Sequence, residues 1–166
     1  PYLLLINHAS MVDFKVMLKA THPRRINNVM SIEGFNDYTE PLMRSLGVIG
    51  TRKYISDIHL IKNMKYSIEV LKNIFVVFPE ARYSLDGCTS YIPDSIGKAA
   101  KLLKVPVVVL KIRGNYVTCP QWNLKNKRTY LEAVMEQIVT LDEMKTITPE
   151  EINARIKEHF QYDDFK

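Results

Sequence analysis

Short apolar runs alternate with longer amphipathic runs along the first two thirds of the chain. Buried parallel strands are continuously apolar and rich in β-branched residues, and this pattern predicts strands over residues 2–7, 27–32, 74–78 and 105–112. Apolar residues recur at helical spacing between them, which predicts helices over residues 11–20, 39–47, 57–73 and 95–104. The alternation predicts an α/β domain with a mostly parallel central sheet flanked by helices.

The last quarter of the chain has a different pattern. Apolar side chains within residues 128–141 fit a helix, but an alternating subset fits one face of a strand, so both structures stay open. Residues 148–160 predict a helix, because Thr148 suits the N-cap and Pro149 suits the first helical position.

Length and composition fit one domain with a substantial core. The chain has 166 residues, of which 46% are hydrophobic and 25% are charged. We expect residues 1–166 to form a single domain cut from a longer protein. No apolar run approaches the roughly 20 residues that span a bilayer, and the spacing of Cys88 and Cys119 indicates neither a disulfide framework nor a zinc site.

The net charge of +5 favours an anionic partner. A phosphate-bearing substrate, an acidic membrane surface and a nucleic acid all meet this condition. The sequence has no glycine-aromatic RNA signature, no helix-turn-helix pattern and no helix with concentrated basic residues, so we expect no nucleic-acid binding.

His8 and Asp13 follow the first predicted strand, where α/β folds expose side chains to ligands. Ser10 and Asp13 match a capping box, so Asp13 could serve only the start of the helix. Alternatively, the turn could bring His8 back over the helix, where Asp13 would fix its tautomer and leave the other ring nitrogen as a base.

The nucleophile for such a pair is best sought in a substrate. Ser10 is close in sequence, but no G-x-S-x-G elbow is present to support a serine acyl-enzyme. Further ligands that would turn His8 and Asp13 into a metal site are not evident, so we expect no metal. A substrate hydroxyl is the more economical nucleophile.

Two other stretches place charged residues directly after short apolar segments. Arg52 and Lys53 follow a glycine-bounded apolar segment and form either a solvated basic turn or a phosphate contact. Glu80 and Arg82 follow the strand at 74–78 and form either a surface ion pair or part of a ligand site.

These stretches together resemble the four motifs of the glycerolipid acyltransferases. "NHASMVD", "GVIGTRK", "FPEARYS" and "KVPVVVL" occur in the order of that family, with 70 residues between His8 and Phe78. The chain is therefore identified as similar to the 1-acylglycerol-3-phosphate acyltransferase family over residues 2 to 112. The resemblance implies a glycerolipid acyltransferase fold.

The resemblance also implies roles for individual residues. His8 would be the general base that deprotonates an acceptor hydroxyl, and Asp13 would orient it. Arg52 would contact the acceptor phosphate, and Glu80 would contribute to acceptor binding. The remaining residues of the second and third motifs assigned to substrate binding are Lys53, Arg82 and Ser84.

The third motif departs from the family pattern. Relatives read Phe-Pro-Glu-Gly-Thr-Arg-Ser, whereas this chain has Ala81 at the glycine and its arginine one position earlier, at Arg82. A positive φ at Ala81 would be harder to meet than at glycine. The motifs thus indicate a divergent branch, and they leave a noncatalytic lipid- or phosphate-binding module as the alternative function.

The substrates implied by the family determine the expected partners. The acyl donor would be acyl-CoA or acyl-carrier protein, with no bound cofactor, and the acceptor would be a lysophospholipid or glycerol phosphate. We expect a cytoplasmic enzyme, peripheral at the inner face of a membrane. The basic stretches 22–25 and 123–128, with Trp122 and Tyr130, are the candidate membrane contacts.

Overall fold

The computed structural model describes residues 1–34, 40–52, 58–120, 123, 125 and 127–160. Within this part of the chain, six strands form one sheet in the order β3-β2-β4-β1-β5-β6. The strands are β1 (Leu3–Ile6), β2 (Ile26–Ser31), β3 (Val48–Thr51), β4 (Ile74–Val77), β5 (Val107–Arg113) and β6 (Glu132–Val139). β1 to β5 run parallel, and β6 pairs antiparallel with β5.

The described helices connect these strands and follow the last one. They are α1 (Asp13–Thr21), α2 (Glu40–Ser45), α3 (Ile58–Glu69), α4 (Ser95–Leu103), α5 (Asn115–Thr118), α6 (Glu143–Thr146) and α7 (Pro149–Phe160), with a 3-10 turn at Ile32–Gly34. None of these helices is both long and apolar enough to cross a bilayer.

The sheet separates two apolar cores because successive strand residues point to opposite faces. On one face, Leu3 and Leu5 of β1 pack in the cluster that includes residues of α3, α4 and α7. On the other face, Leu4 and Ile6 pack with Met17 of α1. β1 is buried along its whole length, which fixes the position of the turn that follows it.

The predicted α/β fold, with a mostly parallel central sheet flanked by helices, is confirmed. Residues 128–141 contain β6, so the strand interpretation is the correct one. β3 was not predicted as a strand, because its four residues include a glycine and only Val48 is buried. The prediction that Thr148 caps the last helix is confirmed at the start of α7. The Glu151 N–H donates to Thr148 Oγ1 at 3.2 Å, and the Thr148 N–H donates to Glu151 Oε2 at 2.9 Å.

The carboxyl ends of β1 to β5 meet at one edge of the sheet, and chemistry-bearing residues follow several of them. Asn7 joins β1 to β5 at this edge: its Nδ2 donates to the Ile112 carbonyl at 2.9 Å, and the Ile112 N–H donates to its Oδ1 at 2.8 Å. This side chain continues the strand pairing one residue past the end of β1. His8 is the next residue.

Candidate active site

Asp13 is fully buried at the start of α1 and shapes the turn after β1. Its Oδ2 accepts the backbone N–H of Ala9 at 2.8 Å and that of Ser10 at 2.9 Å. The Ser10 hydroxyl donates to the Cys119 carbonyl at 2.8 Å, which fastens the turn to the end of α5. Asp13 therefore does satisfy backbone N–H groups where the helix begins, but the capping box is incomplete, because the Ser10 hydroxyl accepts the Val12 N–H at 3.2 Å rather than that of Asp13.

The same carboxylate also holds the imidazole of His8. His8 Nδ1 lies 3.0 Å from Asp13 Oδ2, within hydrogen-bond distance. A neutral imidazole that donates from Nδ1 to this carboxylate carries its lone pair on Nε2. The His8 side chain keeps 17% of its surface exposed, which leaves solvent or a substrate access to the ring.

Glu80 fixes the backbone of His8 from the other side. It is 7% exposed, its Oε1 accepts the His8 N–H at 3.1 Å, and its Oε2 accepts the Ser90 N–H at 2.6 Å. Burial raises the pKa of Glu80, while the N–H bonds from Ser90 and His8 oppose the increase. Because Glu80 is buried, the alternative of a surface pair with Arg82 is wrong.

Two aromatic rings pack against the His8 imidazole. The Phe78 ring lies 4.2 Å from it between centroids, and the Tyr83 ring lies 3.8 Å from it. Burial raises the pKa of Tyr83, with further contributions from the negative charge of Asp13 and from Cys119. The two rings restrict the plane of the imidazole, and the contact with Asp13 Oδ2 defines the side on which Nδ1 lies.

The third motif folds into a tight turn over the site. Ala81 has φ +52°, so this position does adopt the left-handed conformation that favours glycine. Ser84 is buried: its N–H donates to the His8 carbonyl at 2.7 Å, and its hydroxyl donates to the Cys88 carbonyl at 2.7 Å. The Ser84 hydroxyl therefore stabilises the loop.

The described basic candidates, Arg52 and Arg82, lie at the same edge of the sheet as His8. Arg82 is exposed, and its Nε donates to the Ser90 hydroxyl at 3.0 Å beside a pocket of about 240 Å³. Arg52 is exposed directly after β3, three strand spacings from β1, or about 14 Å across the sheet. The structure brings Arg52 to the same edge as His8 without contact, and Lys53 lies outside the described residues.

The two predicted membrane patches lie at opposite edges. Residues 22–25 precede β2, at the amino ends of the parallel strands, away from His8. The described residues of 123–128 adjoin α5 through the Lys127 N–H, which donates to the Thr118 carbonyl at 2.9 Å. Tyr130 is 85% exposed, and Trp122 lies outside the described residues.

Sequence reasoning missed Tyr83 and Asn115. Tyr83 follows the arginine of the altered motif, and only the fold shows that its ring reaches His8. Asn115 is buried and donates from Nδ2 to Asp13 Oδ1 at 2.8 Å. The available signal was its position at the carboxyl end of β5, beside that of β1. Among the described residues, no cluster of three or more His, Cys, Asp or Glu side chains could hold a metal ion.

Comparison with known proteins identifies the family of the chain and the similarity of its fold. The family model described as Acyltransferase matches residues 1–113. No curated protein of similar sequence is found. The fold is similar to the crystal structure of PlsC from Thermotoga maritima, described as a 1-acyl-sn-glycerophosphate (LPA) acyltransferase, with a TM-score of 0.73 and 20% sequence identity. The match covers 96% of this chain and 63% of that one, so this chain spans less than two thirds of the solved relative.

Proposed function

This chain belongs to the acyltransferase family, and we propose that it transfers a fatty acyl group from an acyl thioester to a hydroxyl of a lysophospholipid or glycerol phosphate. The acceptor we favour is 1-acylglycerol 3-phosphate, in phospholipid biosynthesis. The observation that carries the proposal is the 3.0 Å contact between His8 Nδ1 and the buried carboxylate of Asp13.

The proposed reaction uses His8 as a general base. Nε2 takes the proton of the acceptor hydroxyl while the hydroxyl oxygen attacks the thioester carbonyl carbon. The new C–O ester bond forms, the C–S bond breaks, and the imidazolium returns its proton to the departing thiolate. Asp13 stabilises the positive charge that His8 carries between the two proton transfers.

Two hydrogen bonds hold His8 in place, one at its ring and one at its backbone, and both support this role. Asp13 orients the ring through Nδ1, and Glu80 holds the backbone N–H of the same residue at 3.1 Å. A base placed in advance avoids much of the entropic cost of finding a reactive orientation. The assignment of Glu80 to acceptor binding stays a prediction. Its hydrogen bonds with the backbones of His8 and Ser90 favour a contribution to the shape of the acceptor site.

Acceptor recognition is proposed for the exposed cations at this edge. A guanidinium fork suits phosphate oxygens, and Arg52 lies on the same edge as His8 at the distance of three strand spacings. Arg82, beside the pocket next to Tyr83, is the second candidate. Lys53 is included among the acceptor-binding residues because it follows Arg52 in the sequence. Ser84 contributes to acceptor binding by shaping the loop of the third motif.

The acyl donor is proposed to be acyl-CoA or acyl-carrier protein. Both present the same thioester, so the reaction needs no bound cofactor. The thioester is an activated acyl group, and its conversion to an oxygen ester needs a base for the hydroxyl and an acid for the thiol. His8 can supply both in turn.

A membrane surface is the proposed partner on this edge. Met11, Leu85 and Val117 are 50%, 75% and 51% exposed, and hydrogen bonds connect their segments around α5. Lys127 and Arg128 are exposed, and the Lys127 N–H joins their segment to α5 through the Thr118 carbonyl. Apolar side chains flanked by cations suit the anionic cytoplasmic leaflet, where amphipathic acceptors reside.

The test is acceptor-dependent thiol release from palmitoyl-CoA by the complete protein. Glycerol 3-phosphate and 1-acylglycerol 3-phosphate are offered in turn, and the lipid product is identified by mass. Release that requires an acceptor, with formation of the acylated product, supports the proposal and identifies the acceptor. Acceptor binding without transfer from acyl-CoA or acyl-carrier protein would favour a noncatalytic lipid-binding module.

A further inference from the structure

Asn115 lies opposite His8 on the Asp13 carboxylate, and we infer that it is a positioning residue for the His8–Asp13 pair. The inference rests on the proposed function, because it assigns Asn115 to the orientation of the proposed general base. Asn115 falls just beyond the residues that the family model matches, and none of the motifs recognised in the sequence includes it.

The two oxygens of the Asp13 carboxylate accept hydrogen bonds from different donors. Oδ2 receives the Ala9 and Ser10 N–H groups and the His8 ring. Oδ1 receives Nδ2 of Asn115 at 2.8 Å. Rotation of the carboxylate about its Cβ–Cγ bond would break both sets, so the Asn115 contact holds Oδ2 in the plane that His8 requires.

The backbone connection before Asn115 determines where this residue lies. Asn115 is 1% exposed and is the first residue of α5, directly after Gly114. Gly114 has φ +76°, and a Cβ there would lie 2.2 Å from the Tyr130 carbonyl oxygen. This tight connection from β5 to α5 brings the Asn115 amide to the carboxylate. The amide must present its NH2 group, since a carboxylate offers only acceptors.

The ionisable groups near this pair are few among the described residues and lie mainly beside His8. Glu80 approaches the His8 backbone, the Tyr83 ring packs on the imidazole, and Cys119 is close enough to Tyr83 to affect its pKa. None of these groups replaces the hydrogen bond from Asn115 to Asp13 Oδ1. A substitution at Asn115 therefore changes a contact of Asp13 that its neighbours do not supply.

The test compares Asn115→Asp and Asn115→Leu with wild type. Asn115→Leu removes the donor and keeps the number and branching of the side-chain heavy atoms, and we expect kcat to fall about 10- to 100-fold with little change in acceptor KM. Asn115→Asp puts a second carboxylate against Asp13, and the two then share a proton. The introduced carboxyl restores a donor when it is protonated, so the ratio of variant to wild-type kcat should rise as pH falls.

Asn153→Asp is the matched control. Asn153 is also buried, but its amide joins α7 to α4, accepting the Gly97 N–H at 2.8 Å and donating to the Asp94 carbonyl at 2.9 Å. This variant should lower stability without a pH-dependent activity ratio. A similar pH dependence in Asn115→Asp and Asn153→Asp would overturn the inference.

A measurement without turnover separates this inference from the proposed function. In ¹⁵N-histidine-labelled protein, the neutral His8 ring should carry its proton on Nδ1, and Asn115→Leu should shift the population toward the Nε2–H tautomer. His8→Ala identifies the signal. An unchanged tautomer in Asn115→Leu overturns the inference even where transfer is seen, and a changed tautomer supports it even where the transfer assay fails.

Discussion

His8 Nδ1 and Asp13 Oδ2 lie 3.0 Å apart across the turn that joins β1 to α1. Five residues on a continuous helix would separate these side chains by about 140° around the axis. They meet because His8 precedes the helix and the Asp13 carboxylate bends the intervening backbone through Ala9 and Ser10. The capping role and the orienting role, which were alternatives in the sequence, belong to one carboxylate.

Arg52→Ala should raise the KM for the acceptor more than the KM for the thioester. The proposed contact is with the acceptor phosphate, and a charge-assisted hydrogen bond of this kind contributes about 1.5–3 kcal/mol. Steady-state kinetics with each substrate varied in turn measures the difference. Arg24→Ala, an equal charge change before β2 at the opposite edge, is the control; equal increases in both KM values for Arg52→Ala would refute the assignment.

Glu80→Gln should lower the free energy of unfolding by about 1–3 kcal/mol near pH 4, because both carboxyl oxygens accept a backbone N–H, whereas the amide nitrogen of Gln can accept neither. Burial raises the folded-state pKa of Glu80. Its contribution is therefore fully present below the unfolded pKa of about 4.3 and is lost as pH rises through the folded pKa. The stability gap between wild type and variant should narrow from pH 4 toward neutrality, as measured by urea unfolding.

For Glu143→Gln, the stability difference from wild type should change with pH in the opposite direction. The Thr140 N–H, and then Arg155, lower the pKa of Glu143, so its contribution is present above the unfolded pKa and is lost as pH falls through the folded pKa. The stability gap for Glu143→Gln should therefore widen as pH rises from the acidic range. Parallel slopes for the two variants would contradict the account of Glu80.

Ala81→Gly should raise the free energy of unfolding by about 1 kcal/mol, because a left-handed conformation costs an L-residue roughly 1–2 kcal/mol. Thermal or urea unfolding measures this change. Ala154→Gly in α7 is the control and should lower stability by about 1 kcal/mol, since it places glycine in an exposed helix. A loss of stability in both variants would show that the turn at Ala81 is not strained.

The sequence was most informative where a single segment determines its own structure. β1 and β4 are continuously apolar, β5 is buried and apolar over residues 107–110, and His8 and Asp13 are close along the chain. β6 was ambiguous because most of its residues are exposed and mix apolar with polar side chains on both faces. Asn115 could not be assigned from the sequence, since its contact with Asp13 spans 102 residues and depends on the pairing of β5 with β1.

Replacement of Met11, Leu85 and Val117 by serine should reduce binding to vesicles that contain anionic phospholipid. Serine at each position removes an exposed apolar side chain that would be buried in the interfacial region of the membrane, and the core of the fold is unchanged. Co-sedimentation with phosphatidylcholine vesicles, with and without phosphatidylglycerol, measures the effect. Leu71→Ser, at the opposite edge before β4, should bind as wild type does; equal binding by the triple variant would contradict this surface.

The most direct test of the central claim is the rate of acceptor-dependent thiol release by His8→Ala. Loss of the general base should reduce kcat by about 10²- to 10⁴-fold. His59→Ala, on α3, should keep the wild-type rate, and circular dichroism verifies that both variants are folded. A wild-type rate in folded His8→Ala would contradict the assignment of His8 as the base.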